Sequence, residues 1–379
     1  MWTIGFLSRI PPARLPSPAL AALLLLTLLA GGFLAARRTG LGVRAGAEVG
    51  LVVSLLNMLV LGSLLTDPGG GAVHPRALWW IPGSLALGAL LGGLGGALGR
   101  LGPSRVSAQA PGRASTGPAG DPTAGVAVAA DTGAHDWTAA FTVVGAAATF
   151  CLLVVGGLVT SRGAGLDVPD WPSSFGYNMF LYPLARMSGG IYFEHSHRLF
   201  GSLVGLTTLV ITLHLLRVEP RAWVRRTALA ALALVVLQGI LGGYRVTTAE
   251  IEATAGQVTA TTETSPSLVL RVLHGVTGQL FLAVMVALAA FTARTWRSTR
   301  PASAVPAAST DVRLAGFLIA VLLVQLVLGA LFRHVSRGLL LHIAMATVVL
   351  VAAVLAGARA AGIERGQPIL QRLGKWILW

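Results

Sequence analysis

The sequence predicts an all-α polytopic membrane protein with about nine transmembrane helices, six of them forming a bundle in the C-terminal part. Three observations carry that prediction. Of 379 residues, 54% are hydrophobic and 11% charged, whereas ordinary soluble domains carry about a quarter charged residues. Apolar stretches of about 20 residues, the length that crosses a bilayer, recur along most of the chain. The arginines sit in short clusters between those stretches. A net charge of +14 would suit a nucleic-acid binder, but clustering beside apolar runs is the mark of cytoplasmic loops. A water-soluble globule and a nucleic-acid partner are both set aside.

Taken in order, three spans are expected at 17–36, 46–66 and 78–99, forming an N-terminal membrane extension over 1–99. The first lacks a signal-peptide cleavage site and runs straight into Arg37 and Arg38. Residues 100–136 are rich in Gly, Pro, Ala and Ser without apolar period, and read as a flexible linker. Six further spans follow at 138–160, 197–217, 226–244, 267–293, 313–333 and 338–360, making a bundle over 137–361 with a tail over 362–379.

Orientation comes from the arginines. Arg217, Arg221, Arg225 and Arg226 share one loop, Arg294, Arg297, Arg300 and Arg313 another, and Arg365, Arg372 and Lys375 lie in the tail. All three fall on one side, which is then cytoplasmic. Carried back through the linker, this puts the N-terminus outside. The loops left on the outer face are 161–196, 245–266 and 333–338; the first, with Pro169, Pro172, Trp171, Phe175, Tyr177 and Tyr182, reads as an ordered cap.

An internal echo links two regions. LVVLQGILGGYRV (234–246) precedes a span with His274, and LLVQLVLGALFRH (322–334) precedes one with His342. Each copy has a Gln four residues before a Gly, then an Arg, then a His-bearing span. Paired helix duplications of this kind are common in membrane folds.

Ionisable groups within a membrane are costly and mark function. Glu194, His195 and His197 lie at the outer mouth of one span. His274 lies about 10 Å deep in another at 1.5 Å per residue; His342 and His334 approach the same face. Arg198, Arg245, Arg271 and Arg333 lie at comparable depth. Two neutral imidazoles on facing helices can ligate a heme iron, with arginines pairing the propionates. Gly239, Gly242, Gly243 and Gly329 would let helices or a flat macrocycle approach closely. A zinc site would use the same residue types but wants three or four convergent ligands. Against these stand plainer readings: His195 and His334 as headgroup-region polar residues, His274 as an incidental buried histidine, Glu194 as a helix N-terminal acid, and the arginines as topology signals alone. His74, His135 and His214 are read as bystanders. The single cysteine, Cys151, excludes an intramolecular disulfide and a thiolate cluster.

The stretches GGLVTSRGAGLDVPDWPSSFG (156–176), EHSHRLFGSLVG (194–205), LQGILGG (237–243) and LHGVTGQ (273–279) together resemble the heme A synthase family over about 138–360; residues 1–135 carry no such resemblance. The most specific part is the acidic-x-x-His-Arg motif, Glu194, His197 and Arg198. The resemblance implies oxidation of a heme O methyl group to the formyl of heme A by successive monooxygenation, for a terminal oxidase. It implies a duplicated four-helix bundle in a bacterial-type cytoplasmic membrane, with the heme site toward the outer face. By matching positions, His197 and His274 would ligate the substrate heme iron and Glu194 would be the catalytic carboxylate. His342 would match the last histidine of the half that binds a cofactor heme B, with three alternatives open: His334 standing in as its partner, ligation by His342 alone, or no cofactor heme. Arg198, Arg245 and Arg333 would support the propionates. The partners implied are heme O, the lipid bilayer, an unidentified electron donor and, as candidates, heme O synthase or oxidase assembly factors. Two departures stand out. No second His-Arg motif follows residue 313, and Val168 and Ser174 stand near the place where many members carry a cysteine pair. The alternative is a bis-histidine b-type electron carrier, which needs the histidines without Glu194. A proton or metal transporter ranks last, because the cytoplasmic halves of the spans hold hardly any ionisable residues.

Overall fold

A computed structural model describes residues 1–10, 15–65, 74–101, 136–254, 257–298, 308–362 and 368–378. The Gly/Pro-rich linker expected at 100–136 lies almost wholly outside them. The chain forms two compact units: residues 1–135 with 177–188, and residues 136–176 with 189–379.

The first unit is a helical trio with a short leader. Helix α1 (Trp2–Leu7) is tied by its Trp2 indole N–H to Asn57 (3.0 Å) of α3 (Val43–Leu61). Helices α2 (Ser17–Thr39) and α4 (Ala77–Arg100) pack with α3 through glycine rather than through interlocking side chains. A Cβ added at Gly92 would stand 2.2 Å from the Gly46 carbonyl oxygen, and one at Gly95 would stand 2.1 Å from that of Leu29. Only glycine permits such backbone approach, the route by which membrane helices gain dispersion contacts when lipid is as apolar as leucine. The outer-loop segment 177–188 belongs to this unit: its 3-10 turn Met179–Leu181 lies beside Gly62.

The second unit is built on four helices, α5 (Trp137–Ser161), α6 (Gly189–Val218), α7 (Ala222–Thr247) and α8 (Ser265–Thr292). Asp136 caps α5 by accepting from Ala139 N (3.1 Å), and Thr264 caps α8 by accepting from Ser267 N (3.3 Å). Val204, Ile211, Leu215, Val224, Ala228, Ala231, Phe281, Met285 and Leu288 close the core, where buried Thr142 and Thr292 bond across helices at 2.7 Å. Between α7 and α8 the chain forms an antiparallel hairpin, β1 (Glu250–Thr254) with β2 (Gln257–Thr262), pairing Ile251 with Thr261. The stretch 245–266 was expected only as a connecting loop, and its strands are rich in Thr, Val and Ile.

After short α9 (Arg294–Ser298), helices α10 (Ala308–Val335) and α11 (Leu339–Gly362) form a second antiparallel hairpin beside α8. Arg359 of α11 pairs with Asp311 of α10 at 2.7 Å. The expected plain tail instead carries α12 (Pro368–Leu378), folded back on α11 where Gly374 meets Gly357. Its Arg372 and Lys375 alternate with Leu370, Leu373 and Ile377, an amphipathic pattern suited to an interface.

Among the described residues, eight helices are long and apolar enough to cross a membrane. The expected span at 46–66 is helical as α3, and an exposed Arg44–Glu48 pair at 2.9 Å lies near its start.

Candidate functional site

Residues at the C-terminal ends of α5 and α7 and the N-terminal ends of α6 and α8, with the loop 161–176, form one constellation. His197 of α6 and His274 of α8 face each other with ring centres 6.3 Å apart and planes at 85°. Each imidazole lies against a glycine of a neighbouring helix. A Cβ at Gly156 of α5 would stand 2.9 Å from His197 Cε1, and one at Gly242 of α7 would stand 3.3 Å from His274 Cε1. His197 Nδ1 is buried without a hydrogen-bond partner among the described residues. With its amide nitrogen turned toward His274, Gln238 donates to Nδ1 (3.2 Å) and to the carbonyl of the same residue (3.1 Å). Its oxygen then accepts from Gly278 N (3.2 Å).

Over the pair the loop is held by one buried ion pair. Arg198 donates to Glu194 Oε1 at 2.7 Å, both side chains less than a tenth exposed. It donates further to the carbonyls of Asp170 (2.6 Å), Ser173 (3.0 Å) and Val168 (3.1 Å). Glu194 Oε2 accepts from Val168 N at 2.9 Å. Asp170 turns the loop by accepting from Phe175 N (2.6 Å) and Gly176 N (2.8 Å), where Phe175 has φ 53° and Gly176 φ 77°. Ser174 Oγ meets His195 Nδ1 at 3.1 Å. One glutamate oxygen and three guanidinium contacts thus hold 168–176 to α6, while the other oxygen and the fourth contact join Glu194 to Arg198. Asp167 adds a carboxyl above the Gly190 end of that helix, where burial raises its pKa above the ordinary value.

At the outer rim, Arg245 of α7 donates to the Gly165 carbonyl (2.8 Å) and Arg271 of α8 to that of His334 (2.8 Å). Glu263 lies between the two arginines, 3.6 Å from Arg245 and 3.0 Å from Arg271.

The expected residues therefore fall in three places. Glu194, His197, Arg198, Arg245 and His274 belong to the bundle of α5 to α8. His334 lies against α8, its Nε2 3.3 Å from a Cβ built at Gly275. His342 lies in the second hairpin against Gly329, 3.1 Å by the same measure; its Nε2 is 3.5 Å from Gln325 Nε2, and Phe332 stacks on it at 6.1 Å. Arg333 is exposed and bonds Ser161 at 3.0 Å. Of the glycines expected to admit a macrocycle, Gly243 instead carries the Trp171 indole, 2.3 Å from a Cβ placed there. His214 bonds Thr138 at 3.0 Å. Sequence reasoning missed Glu263, Asp167 and Trp171; the run LDVPDWP, with two acids beside two prolines, was the only hint of the last two.

The geometry suits one iron between His197 and His274. Metal–imidazole bonds of about 2 Å, with ring centres about 1 Å further out, put the two centres about 6 Å apart. Among the described residues no three His, Cys, Asp or Glu side chains come together as ligands for an ion, so the zinc reading lacks its donor set.

Comparison with protein families matches residues 139–348, more than half the chain, to the family described as cytochrome oxidase assembly protein, COX15-CtaA. Comparison with curated proteins and with solved structures yields no match. The match covers α5 to α8, the loop over the histidine pair and most of the second hairpin, and the chain belongs to the COX15-CtaA family, the heme A synthase family of cytochrome oxidase assembly proteins.

Proposed function

We propose that the protein is a heme A synthase that oxidises a methyl substituent of heme O to a formyl group. The observation that carries this reading is the His197–His274 pair, 6.3 Å between ring centres and flanked by glycine on both sides. The substrate's iron supplies the oxygen and electron chemistry when bound. The chain holds that iron by two imidazoles, and the glycines at 156 and 242 let the rings recede between helices. Glu194, three residues before His197 and therefore on the same helical face, is the carboxylate assigned to the reaction. It acts at the edge of a site from which the loop over α6 excludes water. In this reading Arg198 fixes the Glu194 carboxyl in place, and the arginines at the rim meet the propionates.

The positive clusters at Arg217–Arg226 and Arg294–Arg313 place the opposite ends of these helices in the cytoplasm. The heme site then opens on the outer face of a bacterial-type cytoplasmic membrane. His342 is assigned to a cofactor heme B, with His334 near the same face.

The test is heme extraction and chromatography from cells that make heme O but no heme A. Heme A formed with the native chain and lost with Glu194→Ala supports the enzyme. Bound heme B with no conversion assigns the protein to the b-type electron carriers instead. Purified protein without Soret absorbance would overturn both.

A further inference from the structure

Arg245 and Arg271 stand in fixed register with His274. Arg271 precedes His274 by three residues on α8, and Arg245 follows Gly242, which packs on the His274 ring, by three on α7. Residues three apart share a helix face, so both guanidiniums lie about one turn, roughly 5 Å, outward of the histidine pair. Each is held by a backbone carbonyl that does not depend on any acid: Gly165 O for Arg245 and His334 O for Arg271. Both keep a buried Nε without a hydrogen-bond partner. Among the described residues Glu263 is the carboxylate within ion-pair distance of both; it makes one close contact and one long one, and its Oε1 is itself without a hydrogen bond. Glu194 also acts on Arg245 but is paired with Arg198, so three cations facing two anions leave the cluster a carboxylate short.

Glu263 belongs to the weakest element of the unit. It directly follows β2, and the described positions of the hairpin are mostly exposed. An isolated two-stranded hairpin is marginal in water, so Glu263 ties it to the helices. On the other side Thr264 is anchored by its cap and by a bond to Thr248 O (2.5 Å). Motion of the hairpin therefore pivots at 263–264.

Resting on the heme reading above, we propose that Arg245 and Arg271 are the clamp for the substrate's two propionate carboxylates. Glu263 is an internal competitor for that clamp, so binding displaces Glu263 and releases the β1–β2 hairpin. The carboxylate exchange forms and breaks only ion pairs and hydrogen bonds. Two substrate carboxylates balance the two guanidiniums, which Glu263 alone cannot do, and the freed hairpin opens the rim through which a flat molecule enters.

The probes are iron protoporphyrin IX and its dimethyl ester, which keeps the ring and iron but has no carboxylates. They are titrated by Soret absorbance into the full-length, detergent-solubilised protein. Replacing the competitor by an isosteric amide, Glu263→Gln, should tighten the diacid roughly threefold to tenfold and leave the ester unchanged, as expected for losing one partly exposed ion pair. Arg271→Gln should weaken the diacid by a similar factor, again without moving the ester. A spin label at Ala260→Cys, in a Cys151→Ser background, should gain mobility on adding the diacid and not the ester. The proposal is overturned if Glu263→Gln weakens diacid binding or leaves it unchanged. It is equally overturned if diacid and ester shift together, which would make Glu263 a packing residue. Absence of a His274-dependent Soret band with either porphyrin would remove the heme reading itself, a result distinct from those two.

Discussion

The α7–α8 hairpin and the α10–α11 hairpin are two versions of one device. In both, a Gln and the Gly four residues after it on the first helix meet a histidine on the second: Gln238 and Gly242 meet His274, and Gln325 and Gly329 meet His342. What differs is the covering. The first hairpin is roofed by α5 and α6, which supply His197, the Glu194–Arg198 pair and the loop. Among the described residues the second has no equivalent roof, and α10 keeps only Val321 buried. The glutamine differs too. Gln238 takes His274 at Nδ1 and leaves Nε2 free, whereas Gln325 sits against Nε2 of His342. The lesson is that the repeated motif orients an imidazole, while readiness to bind comes from the elements laid over it.

That contrast can be broken most severely at Arg198. Arg198→Ala leaves a buried carboxylate and three loop carbonyls without their partner and is expected to cost about 3–5 kcal/mol. Arg333→Ala, on the exposed side of the second hairpin, should cost within about 0.5 kcal/mol. Thermal unfolding in detergent compares them, and equal losses would deny the loop its special role. Next in size, His197→Ala and His274→Ala should each lower heme affinity at the same site by about tenfold or more, as expected for loss of an iron ligand rather than of a supporting bond. His342→Ala should leave that spectrum in place; loss of the same band in all three would merge the two hairpins into one site.

Gln238→Ala removes the group that orients His274 and should weaken heme binding by about tenfold, the usual cost of losing a partner behind a metal ligand. Gln325→Ala should leave the same band untouched, and a matching loss there would show that Nε2 contact is no barrier. The smallest effect lies at the helix ends opposite the histidine pair. Arg221 joins Glu219 (2.7 Å) to the Phe291 carbonyl (2.9 Å), pinning the α6–α7 turn to α8. Hydrogen bonding from Arg221 holds the Glu219 carboxyl below its ordinary pKa. Its contribution is therefore present above the unfolded carboxylate value of about 4.3 and is lost as pH falls through the lower folded value. Hydrogen exchange across 219–225 should rise in that acid window while the neighbouring core stays protected. Unchanged exchange would mean the turn is held by packing alone.

Much of this was legible in the residues. Runs of Leu, Ala and Val announced the helices because a bilayer demands about 20 apolar residues and little else. Counting inward from span ends placed His197 and His274 toward one face of the membrane, and the Gln-Gly echo marked the two hairpins. Helix rotation was less legible, because span ends are known only to a few residues and each residue turns a side chain by about 100°. That is why His334, grouped with His342 from sequence, is found against Gly275 of α8. Glu263 was hidden for another reason: its partners lie on two helices and depend on how an exposed hairpin folds.

The clamp on the loop has one practical consequence. Val168 gives its backbone N–H to Glu194, and the Ser174 hydroxyl bonds His195, so these two positions are secured without sulfur. With Cys151 as the only cysteine, adding dithionite to reduce a bound iron will leave the roof of the site as it was. In the heme reading proposed above, difference spectra between oxidised and reduced protein would report on the iron and its two imidazoles, free of any loop opened by thiol chemistry.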